Sequence, residues 1–299
     1  MSMRLEMLQV ARLAPKLLGE SSDLVRDFLL RQQNADGGFK GRSDTSDLYY
    51  TVFGIDGLLA LRTELPVGRI ENYFRTFHHG EALDFVHLCC LARGWTALSN
   101  LTAGLESPPG ELRKSLLCRI ETFRAQDGGY HPVPGSLFGT AYGAFLALGC
   151  YQDLQAELPE PLRLVQSLKF LETEDGGWAN ERSGKSGATN AIAAVITVLR
   201  NLDFPINPSA GGWLLDRCHA TGGFQAGPKA PMPDLLSTAT ALHALAGMEI
   251  PCEGIKEPCL DFIDTLWTNE GSFHGHWGEE ILDCEYTFYG LLALGHLSL

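Results

Sequence analysis

Apolar residues return every three or four positions in several stretches of the chain, the spacing that lays them along one face of a helix. Leu24-Val-Arg-Asp-Phe-Leu-Leu-Arg-Gln32, Leu116-Leu-Cys-Arg-Ile-Glu-Thr-Phe123 and Cys259-Leu-Asp-Phe-Ile-Asp-Thr-Leu266 each predict an amphipathic helix with one buried face. A second kind of stretch is small and apolar on nearly every side: residues 48–61, 138–148, 188–199, 235–245 and 284–297. A helix apolar all round is an interior helix. The two kinds alternate, so the chain predicts outer amphipathic helices paired with inner buried ones.

A turn ending in an aromatic separates the members of each pair. It reads Asp36-Gly-Gly-Phe39, Asp127-Gly-Gly-Tyr130, Asp175-Gly-Gly-Trp178, Thr221-Gly-Gly-Phe224 and Glu270-Gly-Ser-Phe273. The aromatics lie 91, 48, 46 and 49 residues apart. The first gap is double, which predicts a degenerate second unit near residues 78–95, and hence six units in a single domain over residues 1–299. The glycine pair is expected to stop each outer helix, because glycine accepts the left-handed conformation common just past a helix end. Trp178, Phe224 and Phe273 are expected to wedge neighbouring units apart.

Six helical hairpins stack either as an open solenoid or as a closed ring. The C-terminal stretch Leu291-Leu-Ala-Leu-Gly-His-Leu-Ser-Leu299 lacks the polar face of a capping repeat, which favours closure. The predicted fold is therefore all-α, a closed α/α toroid. Parallel inner helices would then bring their positive N-termini to one mouth, an arrangement that favours an anion.

Composition narrows the partners. The net charge of −13, with no cluster of Lys and Arg, argues against nucleic acid or an anionic membrane as the main partner. Residues 1–20 place Glu6 within their apolar run and do not read as a signal peptide, and no window is apolar enough to insert in a membrane. Eight scattered cysteines without a C-x-x-C pair predict reduced thiols and a cytoplasmic protein. His87 and His243 fall on apolar helix faces and are expected in the core. No nucleophile-elbow context surrounds any serine.

The register of the turns and the helix openings Asp47-Leu-Tyr-Tyr-Thr-Val-Phe-Gly54 and Asp283-Cys-Glu-Tyr-Thr-Phe-Tyr-Gly290 resemble the β subunits of protein prenyltransferases. The geranylgeranyl type that modifies small GTPases looks nearest. The resemblance runs from about Ser21 to Leu299, within a superfamily that also holds class II terpene and squalene cyclases. It implies an apolar cavity for an isoprenoid diphosphate, a basic rim, a protein partner in the place of the family's α subunit, and a zinc ion. Zinc would deprotonate a substrate cysteine, since the thiolate is the nucleophile.

Residue by residue, that site is only partly retained. The family loop G-G-[FL]-x-G-R-x-x-K-x-x-D-x-C-Y-S stands here as Gly222-Gly-Phe-Gln-Ala-Gly-Pro-Lys-Ala-Pro-Met-Pro-Asp-Leu-Leu-Ser237. Asp234 matches the zinc carboxylate, with one extra loop residue. Leu236 replaces the zinc cysteine, and Tyr286 replaces the zinc histidine. Gly227 and Gly187 replace an arginine and a histidine that bind diphosphate, while Lys229 matches the lysine. One carboxylate does not hold zinc, which takes four ligands, so zinc-dependent thiol transfer is expected to be lost or much weakened. A shifted metal site from Asp234, His274, His276 and Cys284 is the less favoured alternative to plain helix capping. Lys185 and Lys229 are candidates for the diphosphate. Tyr49, Tyr50, Tyr142, Tyr286 and Tyr289 are candidates for the cavity wall. The competing functions are a non-catalytic lipid-binding or interaction toroid, and a cyclase-like isoprenoid enzyme. The latter is disfavoured by the absence of a D-x-D-D acid motif.

Overall fold

The computed structural model describes residues 2–99, 101 and 108–299. The α-helices, in chain order, are α1 Met3–Ala11, α2 Pro15–Leu18, α3 Ser21–Arg31, α4 Leu48–Ala60, α5 Val67–Arg75, α6 Phe85–Ser99 and α7 Gly110–Glu121. They continue with α8 Ala141–Asp153, α9 Pro161–Lys169, α10 Thr189–Asn201, α11 Ser209–Leu215, α12 Leu235–Gly247, α13 Glu253–Leu266 and α14 Cys284–Leu297. Helices α4, α6, α8, α10, α12 and α14 pack side by side in that order, and α14 returns to pack on α4. The inner ring is closed, as the expected toroid requires. Among the described residues no helix is long and apolar enough to cross a membrane.

The closure is visible at one glycine. Gly271, in the last turn, has φ of 88°, and a Cβ there would meet the carbonyl oxygen of Leu24, on the first outer helix, at 2.1 Å. Beside it the Arg31 guanidinium donates to the Glu270 carbonyl at 2.9 Å. The last turn is thus seated on the first outer helix.

One polar module starts three of the inner helices. Asp47, Asp234 and Asp283 are the N-caps of α4, α12 and α14, accepting the backbone N–H of Tyr49, Ser237 and Tyr286. Four residues on, Thr51, Thr238 and Thr287 donate their hydroxyls back to the cap carbonyls at 2.6, 2.7 and 2.7 Å. Thr51 and Thr238 then accept the N–H of Phe39 and Phe224, each at 2.9 Å. Short antiparallel ladders complete the joint: Phe39 pairs with Asp47, and Phe224 with Asp234. The aromatic turn and the helix start are therefore one hydrogen-bonded unit, which satisfies helix-end N–H groups that burial would otherwise strand.

Two of the aromatics pack onto the inner helix of their own unit rather than between units. Phe39 lies on Gly54, where a Cβ would meet the ring at 2.3 Å, and Phe273 lies on Gly290, where the distance would be 2.5 Å. Phe39, Phe224 and Phe273 are fully buried.

Three expectations need correction. The glycine pairs do not cap the outer helices: α3 ends at Arg31 with a right-handed C-cap, Gln32, and Gly37-Gly38 come later. Bridges such as Gln33 to Phe39 make the glycines the tip of a tight turn, with Asp36 accepting the Gly38 N–H at 3.0 Å. Helix α8 starts three residues later than its apolar run, because Thr140 caps it by accepting the Gly143 N–H at 2.8 Å. His87 is half-exposed at the ring's edge, with Nδ1 2.8 Å from Asp84 and Nε2 3.5 Å from Asp47. An apolar-looking helix face near a helix end reaches solvent.

Helix α1 was not legible in the repeat. It touches α4, α8 and α14 and lies across the C-terminal ends of the inner helices. The Met3 N–H donates to Gln152 Oε1 at 2.9 Å, and Arg200 grips Glu6 at 2.5 and 2.6 Å. The repeat supplies a tube, and α1 closes its far end.

Gly54→Ala is expected to destabilise the fold by about 1–3 kcal/mol through overpacking against Phe39. Introducing it into a Phe39→Leu background should cost less, because the two sites share one contact. Urea unfolding of the four proteins in this cycle measures both; additive effects would show that Gly54 and Phe39 are not coupled.

Candidate functional site

The ring encloses a cavity of about 530 Å³, within the roughly 300–1,000 Å³ of small-molecule sites. Its middle is apolar, lined by Val52, Phe53, Phe145, Leu146, Ala191 and Ala194. Its mouth, where the inner helices begin, carries Tyr49, Tyr142, Asn180, Leu236, Glu285 and Tyr289. Its floor, towards their C-terminal ends, carries Met3, Arg4, Met7, Arg93, Asp153 and His243. Tyr142 and Asp153 both lie on α8, so mouth and floor are roughly 16 Å apart at 1.5 Å per residue.

The mouth is acidic. Glu285 accepts the Tyr49 hydroxyl at 2.5 Å, and burial holds its carboxyl above the usual carboxylate range. Burial likewise raises the pKa of Asp283. The cationic Arg42 beside them is committed: its guanidinium lies 3.5 Å from Asp283 and 3.6 Å from Glu279 and donates to the Tyr286 hydroxyl at 3.1 Å. Carboxylates meet four of the six positive helix ends, whereas α8 starts at Thr140 and α10 at Ala188, both uncharged. Asp47, Asp84, Asp234 and Asp283 accept N–H groups at the starts of α4, α6, α12 and α14. Their negative charges offset the helix dipoles there.

Asp234 illustrates the point. One carboxylate oxygen accepts the Ser237 N–H at 2.7 Å and the other accepts the Ser237 hydroxyl at 2.8 Å. Burial raises its pKa, opposed by these bonds and by nearby His276. Asp47 and Asp283 occupy the same cap position on two other helices. Leu236 turns into the cavity wall, and Tyr286 packs against Gly275 and Arg42. The donor set does not fit zinc: the carboxylate is engaged on both oxygens, the side chains at the other two family positions are an alkyl group and a phenol, and nearby His276 adds a single imidazole where zinc takes four ligands. Among the described residues no three His, Cys, Asp or Glu side chains gather to hold a metal, so Asp234, His274, His276 and Cys284 are not brought together as a shifted site.

Of the other candidates, Tyr49, Tyr142 and Tyr289 line the cavity. Tyr50 and Tyr286 are half-buried at the rim, outside the cavity wall. Lys185 and Lys229 are exposed on loops and also lie outside it. His243 is a core residue as expected, its Nδ1 3.1 Å from His296 Nε2. Burial depresses the pKa of both imidazoles. Sequence reasoning missed the floor: Arg4, Arg93 and Asp153 sit within ordinary helical runs, and no local motif marks them.

The sequence matches the prenyltransferase alpha-alpha toroid domain family over residues 16–79 and 192–297. That is more than half of the chain, and the protein belongs to this family. Among solved structures it is similar to Candida albicans protein geranylgeranyltransferase-I complexed with GGPP, at 17% identity and a TM-score of 0.63 over 83% of each chain. It is also similar to a type II terpene cyclase from Scytonema in complex with geranylgeranyl dihydroxybenzoate. There the identity is 13% and the TM-score 0.59, over 95% of this chain and 97% of that one. A protein from Actinoplanes gives 16% identity and a TM-score of 0.51, over 93% and 98%. No curated protein matches the sequence. At such identities the structural likeness establishes the fold.

Two outcomes follow from the caps. Asp234→Asn should be tolerated, whereas Asp234→Ala should cost about 0.5–2 kcal/mol, because asparagine caps a helix as well as aspartate does. Zinc added to the protein should leave its melting temperature unchanged. A zinc-dependent rise lost in both variants would restore the ligand role. The second outcome concerns His87, whose pKa is pushed up to about 9 by its bond to Asp47, with Asp84 adding to it. The folded value lies above the unfolded value of about 6.5. The stabilisation is therefore complete below about pH 6.5 and lost as pH rises through 9. Urea midpoints should show wild type ahead of His87→Gln at pH 6 and level with it at pH 10; a constant gap would contradict the linkage.

Proposed function

We propose that this protein binds an isoprenoid, or a comparably long uncharged apolar ligand, in its central cavity, and that it does not transfer prenyl groups to protein cysteines through zinc. The observation that carries the proposal is the pairing of an apolar-walled cavity with a mouth whose carboxylates cap helices. The wall suits a hydrocarbon chain. A diphosphate at the mouth would meet Glu285 and Asp283, with Arg42 already committed. Two structural relatives hold geranylgeranyl compounds, which supports a ligand of that length. An open cavity also weighs against a toroid that serves only as an interaction scaffold.

Binding of geranylgeraniol, geranylgeranyl diphosphate and farnesyl diphosphate by titration calorimetry tests this. The alcohol is expected to bind more tightly than either diphosphate. At about 100-fold excess over its Kd it should stabilise the fold by ~2.7 kcal/mol. Ala194→Trp, which fills the cavity middle, should weaken binding at least tenfold. Absence of binding by any prenyl compound would overturn the proposal, and a preference for a diphosphate would overturn its uncharged half.

A further inference from the structure

The cavity floor carries a chain of four ionisable groups. Arg93 donates from Nε and Nη2 to Asp56 Oδ2 at 2.9 and 2.5 Å. Asp56 Oδ1 accepts from Arg4 Nη1 at 3.1 Å. Arg4 Nε lies 3.6 Å from Asp153 Oδ1, at the end of the chain. Two arginines balance two aspartates, so the row as a whole offers nothing to a further formal charge.

The end of the row is unfinished. The Asp153 side chain is 6% exposed and faces the cavity. Among the described residues its carboxylate accepts no hydrogen bond; the Arg4 contact is an ion pair only. Burial pushes its carboxyl up to about 6. Arg93 also lines the cavity, its guanidinium 5.6 Å over the Phe53 ring. A hydrocarbon end pressed onto this floor would exclude water from a buried carboxylate and give it nothing in return. A carboxylate or phosphate end would repel Asp153, and an ammonium end would face Arg93 and Arg4. A hydroxyl both donates and accepts, and it adds no charge.

Resting on the cavity-binding reading above, we propose that the ligand enters polar end first: it is a long-chain alcohol of isoprenoid type whose hydroxyl lies on the floor, donating to Asp153 beside Arg93. The apolar body then spans the middle of the cavity, and its hydrocarbon tip reaches the tyrosines of the mouth. Specificity for the alcohol lies in the floor, remote from the mouth where the family resemblance places a diphosphate.

The test compares geranylgeraniol with its methyl ether, which cannot donate, by calorimetry on wild type and Asp153→Leu. Wild type should prefer the alcohol at least tenfold, and the variant less than twofold, with the ether bound equally by both proteins. Equal binding of alcohol and ether by wild type would overturn the polar-end proposal while leaving the cavity reading intact. A preference surviving in Asp153→Leu would place the hydroxyl elsewhere and also overturn it. Binding of neither compound would remove the cavity reading itself. A photolabel needs no variant: geranylgeraniol bearing a diazirine next to its hydroxyl should mark the peptides holding Met3 to Met7 or Gly149 to Asp153. Labelling of Tyr142, Asn180 or Tyr289 at the mouth would overturn the orientation.

Discussion

The carboxylate that opens an inner helix is the interaction on which the rest depends. An inner helix is buried along most of its length, so the N–H groups of its first turn have no water to turn to. Asp47, Asp234 and Asp283 satisfy them from within the chain. The threonine four residues on ties the same turn to the preceding aromatic loop at Phe39 and Phe224. The loops thereby fix where α4 and α12 start, and the inner helices close into a ring. The same carboxylates offset the positive helix ends that an anionic ligand would use. The group that the helix start requires is also the charge that a ligand at the mouth would meet.

This view changes the meaning of Asp234. In isolation it matches the carboxylate of a zinc site. Beside Asp47 and Asp283 it is one of three equivalent caps, with both oxygens engaged by Ser237. A cap requires no zinc to explain it, and Leu236 and Tyr286, at the other two family positions, offer no soft or imidazole donor. The chain belongs to the prenyltransferase toroid family and has its closed helical ring.

Much of the fold was legible in the sequence because its determinants are local. Helical periodicity, the glycine-aromatic turn and the spacing of units specify the hairpins. Boundaries were misplaced where a single side chain decided them, as Thr140 does for α8. The wall tyrosines Tyr49, Tyr142 and Tyr289 were found because they share the helix ends that face the mouth. The floor was not found. Arg4, Asp56, Arg93 and Asp153 come from four helices separated by up to 149 residues of sequence, and Asp153 joins the Asp56–Arg93 pair only through Arg4, when α1 crosses the ring. No periodicity carries information about a contact of that range.

The most direct measurement is a crystal structure of the protein grown with geranylgeraniol and zinc together. The expected result is a prenyl chain lying inside the ring between Tyr142 and Cys150, with Asp234 still bonded to Ser237 and no metal upon it. A chain bound outside the ring, or zinc coordinated by Asp234, would contradict that result and return the mouth to a catalytic role.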